Sequence, residues 1–397
     1  MNKEKLWTKS FISISVVNFV MMLSMYLLIV TMASYAVETH GASTSMAGLV
    51  SSIFIIGVLL GRLYSGKEIV KHGSKKMLLA GIIFFVLITL LYFIPSNIYV
   101  LLMIRILHGV GVGLATTATG TIVAQVIPES RKGEGISYFS LSIILSTAIG
   151  PLIGIALIQN FGYASIFIFS LIVGIASLFI ALPVEEPQVE YREEQKEQKG
   201  FKLSNFLEPM ALPVSIVMLI AALAYSGTLA FITSYAAEIN LVGAGSMYFL
   251  VYAVAILISR PFTGKLMDIK GANSVVYPAL ILFAIGMYML SQAQTSLVFL
   301  MAAALIGLGY GNFQSIIQAV AIKVTPKHRM GLANSTYFIM MDLGIGAGPF
   351  LLGYIIPDFG YRGLYMSMVA LILAGILAYY FLHGRKDRQI TLSQMEA

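Results

Sequence analysis

The segment GRLYSGKEIVKHG at residues 61–73 returns as SRPFTGKLMDIKG at residues 259–271. The copies stand 198 positions apart (259 − 61), and the same offset relates further residues, without a gap, from 62 to 163. At least sixteen identical pairs share this register. Among them are Gly109 and Gly307, Pro128 and Pro326, Arg131 and Arg329, Gly133 and Gly331, and the dipeptides Gly150-Pro151 and Gly348-Pro349. Such a repeat in very apolar sequence is typical of membrane proteins built from two related halves.

The composition indicates that a lipid bilayer is the solvent for most of the chain. Of its 397 residues, 58% are hydrophobic and 11% are charged, whereas a soluble domain carries about 25% charged residues. The chain has no cysteine, which excludes a disulfide framework and a thiolate metal site. The first apolar stretch is too long for a signal peptide and no small-residue cleavage site follows it, so we interpret it as a retained span.

Lysine and arginine are distributed unevenly among the connections. Of the 25, 23 lie at the two ends of the chain or in every second connection, the exceptions being Arg105 and Arg362. This is the positive-inside pattern with both termini cytoplasmic, which requires an even number of spans. The net charge of +7 therefore reflects membrane topology, and we predict no nucleic-acid partner.

The apolar runs predict twelve transmembrane helices, because each is close to the ~20 residues that cross a hydrocarbon core of ~30 Å. The runs do not alternate as barrel strands would. We predict an all-α membrane protein with six-helix bundles at residues 1–184 and 209–384, a charged cytoplasmic linker at 185–208 and a polar tail at 385–397. The predicted helices span residues 10–35, 44–65, 75–94, 98–125, 136–159, 163–183, 210–235, 246–266, 274–292, 296–324, 333–356 and 361–383.

The first copy of the repeated segment resembles a phosphate-binding loop only superficially. Its last position is Glu68, where magnesium binding needs a serine or threonine hydroxyl. A predicted membrane helix precedes it instead of a strand, and the second copy lacks the leading glycine. We therefore reject nucleotide binding.

The two segments instead resemble the loops that join helices 2 and 3, and helices 8 and 9, in the major facilitator superfamily. In that family an acid at the helix end meets basic groups and a neighbouring helix terminus, and so latches one conformation. The first copy has Val70 at the acid position, and only the second copy has its acid, Asp268; Glu68 lies on a different helix face. A merely basic anchoring loop is the alternative. The latch candidates are Arg62, Gly66, Gly73, Arg260, Gly264, Asp268 and Gly271.

Two charged residues are predicted to lie within the membrane. Arg105, with the glycines that follow it, resembles the helix 4 motif that the family uses in proton coupling. A buried arginine costs at least ~2.5–3.5 kcal/mol on insertion scales, so it should face a cavity or a partner. Asp342 lies near the middle of predicted helix 11 and suits a proton carrier. The alternatives are a structural ion pair or snorkelling for Arg105, and an acid held by hydrogen bonds or by a cation for Asp342.

A second family motif lies on predicted helix 5. The segment GPLIG at residues 150–154 resembles the motif associated with antiporters, with Ile155 where that pattern has another glycine. Small residues let helices approach closely and proline loosens the backbone. The motif favours export, and plain helix packing is the alternative. The antiporter-motif candidates are Gly150, Pro151 and Gly154.

Polar residues on predicted helices 1, 4, 7 and 10 suit a central cavity, which these helices line in the family. Helix-to-helix hydrogen bonds are the alternative for each of them. Glu38 and Glu238 end the duplicated segments SYAVE and SYAAE on the predicted outer side. They are candidates for the external mouth, although simple capping of solvated ends is the favoured interpretation. The substrate-cavity candidates are Asn18, Tyr225, Tyr310, Asn312, Gln314 and Gln318.

The resemblance implies a twelve-helix major facilitator fold that works by alternating access, with Asp342 and Arg105 as the proton-coupling pair. We predict a monomeric, proton-coupled exporter in the cell membrane. Its substrate would be a small organic molecule, such as a drug-like amphiphile or a secreted metabolite or metallophore. A proton-coupled importer of a sugar or small organic acid is the alternative within the class, and a membrane sensor without flux or a membrane enzyme is the alternative outside it. No catalytic residue, metal or cofactor is predicted; the predicted partners are the substrate, protons and lipid.

Overall fold

The computed structural model describes residues 4–42, 44–94, 97–185, 206–353, 355–385 and 387. Within these ranges the regular secondary structure is helical throughout, which confirms the all-α prediction. Most of the predicted linker, at residues 186–205, and most of the predicted tail, at residue 386 and residues 388–397, lie outside the described ranges.

Twelve long helices follow one another in the described part of the chain. In the described part of the chain, eleven of them, α1 to α10 and α12, are long and apolar enough to cross a membrane. The helices of the first half are α1 (Lys9–His40), α2 (Thr44–His72), α3 (Ser74–Leu90), α4 (Ile98–Val126), α5 (Lys132–Phe161) and α6 (Ala164–Ala181). Those of the second half are α7 (Leu212–Glu238), α8 (Val242–Lys270), α9 (Asn273–Ser291), α10 (Ser296–Lys323), α11 (Met330–Gly353) and α12 (Ile356–Tyr379).

The ends of α2 and α8 differ from the predicted ends. We predicted loops after residues 65 and 266, but both repeated segments stay helical until Gly73 and Gly271. These two glycines have φ values of 84° and 80°, a region that glycine adopts without strain. The predicted ends were too early because the last turns of both helices are polar on one side, so the apolar runs stop before the helices do. The turn is therefore confined to Gly73 in the first copy and to Gly271 and Ala272 in the second.

Two local features break the similarity of the halves. The segment GLGYG at Gly307–Gly311 forms a π-helical turn inside α10, whereas its counterpart GVGVG continues as regular α-helix in α4. Gly360 has a φ of 65° and interrupts α12 near its start. This break coincides with the predicted start of the last helix at residue 361.

Contacts divide the chain into two compact units. The first unit comprises Met1–Pro128, Phe139–Glu208 and Thr325–Ile339. The second comprises Glu129–Tyr138, Pro209–Val324 and Met340–Ala397. The first turns of α5 thus belong to the second unit, and the first turns of α11 belong to the first unit. The predicted division into bundles at residues 184 and 209 stays a prediction.

Candidate functional site

Asp268, near the end of α8, binds the first turn of α5 within the second unit. Its Oδ1 accepts a hydrogen bond from the Gly133 N–H at 2.8 Å, and its Oδ2 accepts one from the Glu134 N–H at 2.9 Å. The Lys323 Nζ lies 3.6 Å from Oδ1. The first amides of a helix lack partners inside the helix and form its positive end, so a carboxylate is well placed there. Hydrogen bonds to a charged group are worth about 1.5–3 kcal/mol each.

A second acid extends this contact. Glu134 is 7% exposed and accepts a hydrogen bond from the Arg131 Nε at 2.8 Å, and the Lys265 Nζ lies 3.6 Å from its other oxygen. Two acids and three bases therefore alternate around the start of α5. We call this group the second-half latch; it consists of Asp268, Glu134, Arg131, Lys265 and Lys323.

Gly264 allows α8 to approach α5 closely enough for the second-half latch to form. A Cβ at this position would lie 2.6 Å from the Glu134 Cα and 2.8 Å from the Gly133 carbonyl oxygen. Because both neighbours are main-chain atoms, neither can move aside without shifting α5. The glycine in the repeated motif is therefore a packing requirement.

We expect Gly264→Ala to separate α8 from α5 and to lower stability by about 1–3 kcal/mol, as overpacking does. Thermal unfolding of the purified protein measures this effect. Gly243→Ala, on the same helix, is the matched control because a Cβ there meets no atom within 4 Å. Equal unfolding temperatures for the two variants would contradict the close approach.

The first repeat builds the corresponding junction without a carboxylate at Val70. The Ser335 hydroxyl of α11 donates to the Arg62 carbonyl oxygen at 2.7 Å, and the Arg62 guanidinium lies 4.4 Å from the Phe338 ring centroid. A Cβ on Gly66 would lie 2.6 Å from the Ser335 Oγ. Gly66 and Gly264 therefore have the same packing role in the two copies, while the acid is present in only one of them.

Glu68 does not replace the missing acid at Val70. Its carboxylate pairs with the His72 Nδ1 at 3.1 Å, one turn further along α2. As predicted, Glu68 lies on a different face of α2 from Val70, the position of the acid in the second copy.

The missing contact is made by Glu208, which the sequence analysis did not identify. Glu208 is 2% exposed, pairs with Arg329, and donates its N–H to the Thr336 Oγ1 at 2.8 Å. Arg329 is the repeat counterpart of Arg131 (329 − 131 = 198), which takes its carboxylate from Glu134. Glu208 precedes α7 and has no counterpart in the repeat register, so no sequence pattern marked it. We call this group the first-half latch; it consists of Glu208, Arg329, Thr336, Ser335 and Arg62.

We expect Glu208→Gln to loosen the first-half latch, because a neutral amide leaves the Arg329 charge without its carboxylate. The expected cost is about 1–3 kcal/mol, and adding Val70→Asp should recover part of it by placing a carboxylate near the start of α11. Thermal unfolding measures both effects. Glu185→Gln is the control, since Glu185 is exposed at the other end of the predicted linker. The idea is wrong if Glu208→Gln behaves like this control.

Arg105 is fully buried within the first unit and faces α2. Its Nε donates to the Val50 carbonyl oxygen at 3.1 Å and its Nη2 donates to the Ser51 carbonyl oxygen at 3.3 Å. The guanidinium lies 4.6 Å from the Phe54 ring centroid. In the described part of the chain, its hydrogen-bond partners are main-chain carbonyls and not a carboxylate. The snorkelling alternative does not describe this buried geometry.

Asp342 lies on α11 in the second unit and is half-buried. Its neighbour Met341 is buried and its other neighbour Leu343 is exposed, so the carboxylate lies at the edge of the packed face. Its role stays a prediction. Arg105 and Asp342 belong to different units, and their action as a proton-coupling pair stays a prediction.

Asn18, the cavity candidate of the first unit, joins three helices. Its Nδ2 donates to the Ser142 Oγ at 2.7 Å, and its Oδ1 accepts from the Thr119 Oγ1 at 2.8 Å. The contacts of Asn18 therefore match the helix-packing alternative in this conformation.

The cavity candidates of the second unit are also buried. Tyr225 stacks on Tyr310, with ring centroids 4.1 Å apart, and on Tyr252 at 5.5 Å. The Asn312 Nδ2 donates to the Ser259 Oγ at 2.8 Å. These residues surround the π-helical turn of α10, and π-helical turns are frequent at functional sites. The other two candidates, Gln314 and Gln318, are buried on the following turns of the same helix.

The glycines of the antiporter-like motif lie where α5 meets α1. A Cβ on Gly150 would lie 3.0 Å from the Tyr26 Cβ, and one on Gly154 would lie 2.8 Å from the Thr31 Cγ2. In the second unit Gly344 of α11 meets α7 in the same way, 2.6 Å from the Leu219 carbonyl oxygen. Close packing is therefore observed, with Pro151 inside α5; a gating role stays a prediction.

The two outer-mouth candidates are exposed at the ends of α1 and α7, as capping residues would be. Glu38 hydrogen-bonds with Tyr163, and burial together with this carboxylate raises the pKa of Tyr163 to about 12. Glu238 lies near the buried Tyr235. Among the described residues there is no group of three or more His, Asp or Glu side chains that could hold a metal ion.

Comparisons with known proteins agree with this architecture. An uncharacterized MFS-type transporter of Methanocaldococcus jannaschii is 27% identical over 384 residues, which cover 94% of this chain and 97% of that protein. Multidrug resistance protein MdtG of Escherichia coli is 24% identical over 363 residues, 89% of each chain.

Solved structures and a family model extend the comparison. The crystal structure of the human organic anion transporter MFSD10 covers 93% of this chain and 98% of its own, with a TM-score of 0.78 at 15% identity. The transporter FucP in the outward conformation covers 95% and 99%, with a TM-score of 0.74 at 16% identity. The sequence model of the Major Facilitator Superfamily matches residues 14–349 and, in an overlapping match, residues 242–396. The resemblance predicted from the repeated motifs is therefore confirmed, and the chain is a multi-pass membrane transporter that belongs to the Major Facilitator Superfamily.

Proposed function

We propose that this transporter exports a small organic molecule, of the drug-like amphiphile class, in exchange for protons. The observation that carries this proposal is the similarity to Multidrug resistance protein MdtG along 89% of both chains. The antiporter-like motif at residues 150–154 supports the same direction of transport. The protein would act as a monomer in the cell membrane with both termini cytoplasmic, as the positions of its lysines and arginines indicate.

The proposed mechanism is alternating access governed by the two latches. Opening the predicted cytoplasmic side requires Asp268 to release the first turn of α5 and Glu208 to release Arg329. Each release exposes charges to new partners or to water, so both latches favour the closed arrangement. Proton uptake by Asp342 neutralises a half-buried carboxylate on α11, which changes the arrangement that is favoured.

Inverted membrane vesicles provide the test, because they expose the predicted cytoplasmic face to the medium. We expect vesicles with an acidic interior to accumulate ethidium, Hoechst 33342 or tetraphenylphosphonium, and to lose the probe when an ionophore collapses the pH gradient. Vesicles without the protein are the control.

The alternatives give different results in the same experiment. Gradient-driven uptake of sugars or small organic acids into right-side-out vesicles, without efflux of any amphiphile, would indicate the importer. Ligand-dependent thermal stabilisation without flux in either orientation would indicate a sensor. Either result would overturn the proposed export.

A further inference from the structure

A groove opens between the start of α1 and the end of α6, within the first unit. Its lining residues are Lys9, Ser10, Ile12, Ser13, Pro183 and Val184. Its volume is about 280 Å³, just below the range of ~300–1,000 Å³ that is usual for pockets of drug-sized ligands. The groove therefore has room for a lipid headgroup or another small polar group, and it is too small to enclose a drug-like molecule.

The polar side of the groove is formed by three side chains at the start of α1. Ser13 follows Lys9 by four residues and Ser10 by three, so the three side chains share one face of the helix. Among the residues that the structure describes, Lys9 has no ion pair, and the hydroxyls of Ser10 and Ser13 have no hydrogen-bond partner. The lining contains no acid; the exposed Glu185 follows Val184 outside it. One ammonium group and two hydroxyl donors suit a phosphate, whose oxygens accept hydrogen bonds.

The length of α1 and the position of Trp7 place the groove at a membrane surface. With 32 residues, α1 is about 48 Å long at ~1.5 Å per residue. A hydrocarbon core measures ~30 Å, and ~40–45 Å with its headgroup layers, so the ends of α1 extend into those layers. Trp7 precedes this end, is 58% exposed and meets the Phe11 ring edge-on at 5.4 Å. Tryptophan is enriched at membrane interfaces, which agrees with a groove among lipid headgroups.

The apolar side of the groove continues towards the hydrocarbon core. Ile12 lines the groove and Val16 follows one turn deeper on α1, while Phe179 lies four residues before Pro183 near the end of α6. All three side chains are exposed. A soluble phosphate compound would use the polar side alone, whereas a phospholipid would also cover this apolar surface with an acyl chain. The groove is therefore better suited to a lipid than to a free anion.

We propose that the groove binds an anionic phospholipid of the phosphatidylglycerol class. Lys9 pairs with the phosphate, Ser10 and Ser13 donate hydrogen bonds to its oxygens, and an acyl chain lies along Ile12 and Val16. Anionic lipids gain about 1 kcal/mol for each lysine near the membrane surface. The bound lipid joins the start of α1 to the end of α6, where the predicted linker begins. The site requires only that the chain is a membrane protein, so it does not depend on the proposed export.

Trp7 is the only tryptophan of the chain, and its fluorescence reports the lipid beside the groove. Lipids with brominated acyl chains quench tryptophan on contact. The purified full chain is reconstituted into phosphatidylcholine vesicles that contain increasing fractions of brominated phosphatidylglycerol or brominated phosphatidylcholine. We expect phosphatidylglycerol to reach half-maximal quenching at an about fivefold lower mole fraction, the preference that one lysine provides. Equal quenching by the two lipids would overturn the site.

Two variants distinguish a built site from attraction to surface charge. Lys9→Gln should remove the preference for phosphatidylglycerol, whereas Lys5→Gln is the matched control because Lys5 is exposed and does not line the groove. Ser13→Leu should also remove the preference, since a larger side chain fills the groove while every charge stays in place. An equal loss in Lys9→Gln and Lys5→Gln, or an unchanged preference in Ser13→Leu, would overturn the site.

Competition distinguishes the lipid from a soluble phosphate compound. Glycerol 3-phosphate in the medium should leave the quenching by brominated phosphatidylglycerol unchanged, because it cannot cover Ile12 and Val16. Relief of the quenching would assign the groove to a free anion and overturn the lipid. None of these measurements involves flux, so they decide the lipid site whether or not export of any probe is observed.

Discussion

Asp268→Asn should shift the transporter towards its alternative conformation and slow transport at matched expression. Asparagine keeps one acceptor oxygen but turns an NH₂ group towards the second main-chain amide of α5, and the ion pair with Lys323 is lost. Losing one charge-assisted hydrogen bond costs about 1.5–3 kcal/mol, which is roughly a 10- to 100-fold change in the balance of conformations.

Because the natural chain has no cysteine, Lys76→Cys and Lys270→Cys can carry two spin labels without further changes. Pulsed electron paramagnetic resonance then reports the distribution of distances between the labels. Asp358→Asn is the matched control, since it makes the same substitution at an exposed position near the start of α12.

Val70→Asp tests the asymmetry of the two copies. It adds a carboxylate to the first-half latch and removes no existing hydrogen bond, so we expect a smaller effect on transport than that of Asp268→Asn. Equal transport rates in Val70→Asp and Asp268→Asn would show that the presence of the acid in only one copy does not matter for transport. A distance distribution identical to that of the unaltered protein in Asp268→Asn would exclude the second-half latch from the conformational cycle.

The second-half latch was largely predictable because the repeat register placed an acid, Asp268, at the end of a basic and glycine-containing segment. Its partners were less accessible. The amide that it binds on Glu134 lies 134 residues earlier in the chain, and no local pattern indicates which helix terminus will be close. The family resemblance predicted that the acid would contact a helix terminus, and the structure shows that this terminus is the start of α5.

Glu208 and His108 show why other contacts could not be predicted. Glu208 ends a charged segment that reads as a solvated linker, and only the folded chain shows that the carboxylate is buried against Arg329. His108 is one polar residue in an apolar helix, and only the folded chain shows that its imidazole packs against the Phe85 and Tyr92 rings and hydrogen-bonds with Thr89. Charge runs and isolated histidines carry no information about partners in three dimensions. The helix ends were predicted imperfectly for a related reason: hydropathy marks where a helix leaves lipid, whereas Gly73 and Gly271 mark where it ends.

Asp342→Asn should abolish gradient-driven efflux while leaving a folded protein. Asparagine has the shape of aspartate but cannot take or release a proton, so the variant stays in the state that a protonated carboxyl would favour. A half-buried, isosteric and neutral side chain should change the unfolding temperature little, which thermal unfolding can verify.

Flux of ethidium into inverted vesicles, with and without a pH gradient, measures the effect. We expect gradient-driven uptake to fall to the level of vesicles without the protein, while exchange of labelled for unlabelled ethidium persists, because exchange requires no net movement of protons. Asp358→Asn is the matched control, since Asp358 is exposed at the start of α12. Gradient-driven flux at the unaltered rate in Asp342→Asn would remove this carboxylate from proton coupling.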